Sequence, residues 1–296
     1  MSEHVAPEAS PVPSLPVKYR LSPDQPFDLD PTLSCGQVFR WHRENGIWYG
    51  TIEDRPVAVR QSGSLLSYTG CTEASLLHYF ALDIDLGAIL RTADTDPYLA
   101  AAISRHRGLR IVRQDPWECL VSYLCAQNTS IPHIQRMLRN LCVRSGEEVR
   151  GPAGAAYTFP EAAAVVSLAP EEKKACAFGY RAGYIHRTAE AVAEDPDWDL
   201  RIREMDYEDA RREILRFPGV GPKVADCILL FGFEMYESFP VDVWVRAIMQ
   251  TCYGVGSAVK TVTPKEYEAI RRFGRRHFGP YAGYAQEYLF ADREHI

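Results

Sequence analysis

The stretch Phe217-Pro-Gly-Val-Gly-Pro-Lys-Val-Ala-Asp-Cys227, with Phe239-Pro-Val-Asp-Val243 after it, decides the reading of this chain. Pro218-Gly-Val-Gly221 is a tight turn, and Pro222 suits the first turn of the helix that follows. Gly219 and Gly221 tolerate backbone angles that a β-carbon forbids. The N–H groups of Gly219, Val220 and Gly221, with the helix N-terminus behind them, make an anion site without side chains. A plain helix–helix turn accounts for the same residues equally well. Lys223 stands in the first turn of an apolar helix. Dipole and desolvation there predict a lowered pKa and an amine able to attack an electrophilic sugar carbon. A lysine holding a phosphate as a point charge is the milder alternative. Asp242 is predicted to cap the next helix. Beside a sugar, such a carboxylate stabilises an oxocarbenium-like centre. Each residue is weak alone; the pair at this spacing is a strong signal.

Two further i,i+4 pairs extend the argument. Cys227 projects from the same face as Lys223. Its thiol could be partly ionised beside an ammonium, but a small core residue is the better reading. Gln286 and Phe290 share a face of a C-terminal helix, away from the stripe Tyr281, Tyr284, Ala285, Tyr288. A planar amide and a ring are what a pocket needs to read and stack an extruded base. A half-exposed helix face explains them as well.

The chain has 296 residues, 46% apolar and 24% charged, as an ordinary globular protein does. No apolar run reaches membrane length, and Glu3, His4 and Glu8 are unlike a secretory signal. The eight cysteines form no C-x-x-C pair, which argues against zinc or iron–sulfur sites and for free thiols in a reducing compartment. A net charge of −6 counts against nucleic acid. Three local basic patches (105–110, 136–144 and 271–277) keep that partner open.

Residues 1–17, with Pro7, Pro11, Pro13 and Pro16, read as a disordered tail. Gln37-Val-Phe-Arg-Trp41, Asn45-Gly46 and Ile47-Trp-Tyr49 predict a β-hairpin with a type I′ turn. Val57–Val59 and Leu65–Tyr68 continue a meander, and helical patterns begin near residue 73. After Asp115, an N-cap with proline following, nearly everything reads as helix: Trp117 to Leu124, Ile134 to Leu141, 171–193, 206–216, and an all-round apolar Val224–Phe231. The expected fold class is α+β: an antiparallel-sheet domain over 18–113, then an all-α domain over 114–296.

Six blocks together resemble one family. They are Ser34-Cys-Gly-Gln-Val-Phe-Arg-Trp41, Asp115-Pro-Trp-Glu-Cys-Leu120 through Asn128, Gly179-Tyr-Arg-Ala182, Pro218 to Cys227, Pro240-Val-Asp-Val243, and Gly279 to Gln286 with Leu289-Phe290. In that order they are similar to the 8-oxoguanine DNA glycosylase/AP lyases, the lysine-bearing members of the helix-hairpin-helix glycosylase superfamily. The resemblance spans about residues 20–296. It implies Lys223 as nucleophile and Schiff-base residue, and Asp242 as the catalytic carboxylate. Gly36 would offer its carbonyl to N7–H of 8-oxoguanine, a donor that guanine lacks. Gln286 would meet the Watson–Crick edge, with Phe290 and Cys227 sandwiching the base. Asn128 would fill the gap in the duplex, Tyr180 would wedge beside the opposite base, and Arg181 would contact the orphaned cytosine.

Two positions depart from that pattern. His133 stands where a second cytosine-reading arginine is common, and Trp244 where a histidine near the lesion phosphate is common. The implied partner is lesion-bearing double-stranded DNA, met by a monomer inside the cell, nuclear or cytoplasmic, away from membranes. No cofactor and no metal is called for. Alkyl-purine glycosylases lack the hairpin lysine, and endonuclease III-like relatives carry a four-cysteine cluster after the aspartate, where this chain has only Cys252. A non-catalytic DNA-binding hairpin module is the rival from another class.

Overall fold

Five antiparallel strands form the N-terminal sheet: β1 Val17–Arg20, β2 His42–Glu44, β3 Ile47–Ile52, β4 Arg55–Ser62 and β5 Leu65–Thr69, in the order β1-β5-β4-β3-β2. The computed structural model describes residues 14–93, 96–152, 154–256 and 262–296. The expected tail falls mostly on residues 1–13, outside the described residues, and β1 starts at its last residue. Asn45 and Gly46, with φ of 49° and 75°, turn the chain so that Glu44 faces Ile47. That is the hairpin the Asn-Gly pair predicts.

Gln37–Trp41 is not a strand, contrary to the sequence reading. The Gln37 side chain is buried and donates to the carbonyls of Thr32 and Arg110, each at 2.8 Å. It accepts from the Val112 N–H at 2.9 Å, and the Gln37 carbonyl takes the Gln114 amide at 2.7 Å. Side chains thus satisfy backbone groups that a ladder would otherwise need. Val38 and Trp41 enter a smaller core under the sheet, while Phe39 enters the larger helical core. The apparent alternation is a seam between two cores.

Asp115 caps helix Pro116–Cys125 by accepting from the Glu118 N–H at 2.8 Å. This helix packs on Pro222–Phe233, whose residues are buried from Val224 onward, as the unbroken apolar pattern predicts. The pattern over 171–193 is interrupted. It forms Pro170–Ala175, a 3-10 turn at Gly179–Arg181 and helix Ala182–Glu194, with Ala177 and Gly179 at positive φ between them. A two-stranded hairpin, Glu148–Gly151 with Gly154–Tyr157, interrupts a region read as almost all helix. Helices Leu86–Ala93 and Pro97–Arg105 contribute to the larger core, where the second packs on the last helix, Ala282–Ala291. That helix buries Tyr284 and Tyr288, as its stripe predicts, and opens with a 3-10 turn at Gly279–Tyr281. Among the described residues no helix is long and apolar enough to cross a membrane.

Candidate active site

Two helix N-termini converge on one cleft. Asp242 caps helix Val243–Tyr253, its Oδ1 accepting from the N–H groups of Trp244 (2.9 Å) and Val245 (2.8 Å). Lys223, at the start of Pro222–Phe233, is half-buried, with Nζ 5.0 Å from the centroid of the Tyr123 ring. Tyr123 in turn stacks on Phe231. The cleft has a volume of about 750 Å³ and is lined by Gly36, Lys223, Cys227, Asp242, Gln286 and Phe290. Asn128, Gly221 and Trp244 also line it. Hollows of about 650 and 540 Å³ elsewhere gather none of these residues.

Gly36 has φ of 99°, a conformation that favours glycine. Gly219 needs glycine twice over: φ is 83°, and a Cβ there would lie 2.5 Å from Cγ of Tyr184. Gly221 corrects the expectation. Its φ is −96° and a Cβ would meet nothing within 4 Å, so the fold itself does not require glycine there.

The remaining expected site residues form a second group beside the cleft. The Gln127 carbonyl accepts from Arg181 Nε at 3.1 Å and from the Tyr180 hydroxyl at 3.3 Å. The Gln127 amide donates to the Gly219 carbonyl at 3.1 Å, and Asn128 donates to the Tyr180 hydroxyl at 3.3 Å. Gln127 therefore ties together the loops carrying Asn128, Tyr180 and Gly219. Tyr180 is 57% exposed, whereas Arg181 is buried against its ring and the Gln127 carbonyl. Val220 is buried. His133 stands apart on helix Ile131–Ser145, where it accepts a hydrogen bond from Arg136 at 2.7 Å.

The electrostatics correct one expectation. Burial pulls the Lys223 ammonium down, as anticipated, but the Cys227 sulfur, Asp242 and Glu287 pull it up, and the net shift is upward. We attribute the rise chiefly to the carboxylates, because burial pushes the Cys227 thiol up to about 12 and leaves it neutral at pH 7. The resting lysine is an ammonium. Cys227 is thus the small buried residue of the milder reading.

Four residues of the site escaped the sequence reading. Asp226 is fully buried on the Lys223 helix. Its carboxylate accepts from Arg211 Nε at 2.8 Å and from the hydroxyls of Tyr207 and Tyr267. Burial pushes this carboxyl up and Arg211 and the two phenols pull it back. Only the ionised form accepts from all three donors, so we take it as charged. Tyr267 also accepts from the Val241 N–H at 3.4 Å, linking the Lys223 helix to the residue before Asp242. Glu287 lines the cleft next to Gln286 and is 5% exposed. Arg293 lies over Phe290, 4.4 Å from its centroid, and 6.0 Å from that of Trp244. A lone aspartate in the apolar run 224–231 was a signal that could have been read: a buried charge demands partners.

Two of the three basic patches are partly neutralised, with Arg107, Arg272 and Arg276 left exposed. Arg110 is buried among carbonyls of Pro26, Ala81 and Ile84. Arg105 pairs with Asp292, Arg271 with Glu268 and Glu208, and Arg275 with Glu208. Arg136, Arg139 and Arg144 stay exposed, and among the described residues none has a carboxylate within 4.0 Å.

Comparison with known proteins agrees with this geometry. Residues 19–120 match the 8-oxoguanine DNA glycosylase N-terminal domain, and 121–273 match the HhH-GPD superfamily of base excision DNA repair proteins. The N-glycosylase/DNA lyase OGG1 of Arabidopsis thaliana is 32% identical over 88% of this chain and 75% of that protein. A probable N-glycosylase/DNA lyase of Methanothermobacter thermautotrophicus is 31% identical over 89% and 92%. The crystal structure of Clostridium acetobutylicum 8-oxoguanine glycosylase/lyase with double-stranded DNA containing cytosine opposite 8-oxoG superposes with a TM-score of 0.83. It is 33% identical and covers 91% of this chain and 92% of that one.

Proposed function

The chain belongs to the 8-oxoguanine DNA glycosylase family of the HhH-GPD superfamily, and from that premise we propose that it excises 8-oxoguanine from duplex DNA and then nicks the strand. The observation that carries the reading is the single cleft holding Gly36, Lys223, Cys227, Asp242, Gln286 and Phe290. Flipping the base costs a few kcal/mol of stacking and pairing, offset by pocket and phosphate contacts. Tyr180 and Asn128, exposed and bonded to each other, would enter the vacated duplex. Gly219, Val220 and Gly221 would hold a phosphate at the hairpin, and the open space at Gly221 leaves room for its approach.

In the reaction, the Lys223 amine forms a bond to C1′ as the C1′–N9 bond breaks, its electron pair leaving on the base. The proton given up by the ammonium equals the one the departing base needs. Asp242 offsets positive charge developing on the sugar. The sugar ring then opens: the C1′–O4′ bond breaks, O4′ takes a proton from the alkylated amine, and an iminium is left at C1′; it acidifies C2′–H, whose loss expels the 3′ phosphate by β-elimination. Gly36 and Gln286 read the lesion, and Arg181 turns from the Gln127 carbonyl toward the orphaned cytosine.

Borohydride trapping tests the proposal. A duplex with 8-oxoguanine opposite cytosine should give a covalent protein–DNA band with the wild type. Lys223→Gln and an undamaged duplex should each give none. Release of 8-oxoguanine without a trapped band would replace the lysine mechanism with attack by water. No band and no released base would favour the non-catalytic binding module.

A further inference from the structure

We propose that Tyr123 is a positioning residue whose ring seats the resting Lys223 ammonium, holding the nucleophile over a fixed aromatic face and keeping its proton in place until the lesion base departs. The inference deepens the reading above and rests on its lysine mechanism. Nζ of Lys223 lies over the Tyr123 ring, 5.0 Å from its centroid. Among the described residues no carboxylate oxygen comes within 4.0 Å of that nitrogen. An ammonium partly withdrawn from water, with no acid paired to it, gains from any negative potential at contact. The face of an aromatic ring supplies one, and a cation within about 6 Å of the centroid feels it more strongly as water is excluded.

The ring itself is held by its neighbours. Tyr123 is buried, and Phe231 stacks on it at 5.6 Å and 7°. Phe39 meets it edge-on at 5.7 Å and 74°, and its hydroxyl donates to the Gln37 carbonyl at 3.4 Å. Phe39 and Gln37 come from the seam between the two cores. Phe231 belongs to the Lys223 helix, and Tyr123 to the helix packed against it. Amine and ring are therefore placed by the same helix pair. The seat also has a chemical use: a lysine kept as an ammonium stays unreactive toward the sugar and retains the proton that the departing base needs.

Other groups face the amine: Cys227 on its own helix, Cys119 on the helix of Tyr123, and Asp242 and Glu287 on two further helices. Burial pushes both thiols and the Tyr123 phenol up, so all three are neutral near pH 7. The two carboxylates act through space, whatever ring lies under the amine. A change confined to the electron density of the ring therefore moves the amine alone. The face favours the ammonium, so draining it lowers the pKa of the amine and frees a larger fraction of it at a given pH.

The test removes the charge of the face and keeps its shape. Tyr123→Phe sets the baseline, and mono-, di- and pentafluorinated phenylalanine then replace it at the same position. Adduct formation on a duplex with an abasic site opposite cytosine is trapped with cyanoborohydride from pH 6 to 9. An abasic site has no base to flip or release, so the rate reads attack by the amine. Below the pKa of the amine the rate climbs about tenfold per pH unit. Along the series this limb should move to lower pH. The pentafluoro protein should then form the adduct ~10-fold faster than Tyr123→Phe at pH 7. Damaged packing slows a reaction, so a graded gain in rate is a signature that a merely structural ring would not give. A rate that stays level or falls along the series overturns the inference while leaving the proposed function standing. A wild type that forms no adduct, or forms one that Lys223→Gln does not abolish, overturns both.

Discussion

Two buried carboxylates flank the cleft, and they are held in opposite ways. Asp226, on the Lys223 helix, accepts from a guanidinium and two phenols. Those donors are engaged in turn: Tyr207 by Arg271 at 3.0 Å, Tyr267 by the Val241 N–H, and Arg211 by Glu268 at 2.7 Å. Glu287 sits beside an amide that keeps one buried acceptor unanswered. A saturated polar network specifies architecture; an unsaturated one is a vacancy with a defined chemistry. The same residue class thus serves as a fastener behind one wall of the cleft and, on the other, lies next to a polar group left unanswered.

The contrast breaks most visibly at the fastener. Asp226→Ala leaves Arg211 buried without its main counter-charge, and unfolding free energy should drop by about 3–5 kcal/mol in urea titration. A loss under ~1 kcal/mol would mean the network is ornamental. Glu287→Gln should do the reverse at high pH. Its folded pKa of about 7 lies above the ordinary 4.5. Between those values the native chain keeps a proton that the unfolded chain has lost, so stability falls as pH rises through that window. The variant should therefore gain on the order of 2–3 kcal/mol over wild type at pH 8, with the margin vanishing near pH 4. A margin independent of pH would show that Glu287 is not the titrating group. Tyr267→Phe sharpens the comparison, since it cuts the link between the Lys223 helix and the loop segment before Asp242. We expect a loss of ~1–1.5 kcal/mol in stability, and a fall in the trapping rate larger than the fall in DNA affinity. Equal falls in both would assign Tyr267 to binding alone.

What the sequence disclosed follows the same division. Asp242 as N-cap, Asp115 before Pro116 and the Asn45-Gly46 turn are local rules, each legible within a few residues and each found in place. The helical hairpin was legible because Gly219 is demanded by both φ and the Tyr184 ring. Gln37 misled because its buried amide bonds to Arg110 and Val112, partners far along the chain that no alternation pattern reveals. The Lys223 pKa was misjudged because dipole and burial are readable locally, whereas how closely Cys227, Asp242 and Glu287 gather around the amine is a tertiary fact. Tyr267 and Glu287 went unnoticed because each gains meaning only from a neighbour on another element.

The neutralised arginines carry a consequence for how such a protein searches. Among the described residues eleven arginines pair with the protein's own acids, whereas Arg136, Arg139 and Arg144 stand exposed and unpaired along one helix. Each phosphate neutralised contributes about −0.9 to the slope of log affinity against log salt. For undamaged duplex we expect a shallow slope, roughly −3 to −4, read by fluorescence anisotropy. A slope near −8 would mean that cations outside this helix join in. With so light an electrostatic grip, visits to intact DNA are short and frequent. Coverage of a genome then depends on how often the protein lands, rather than on how far it slides before it leaves.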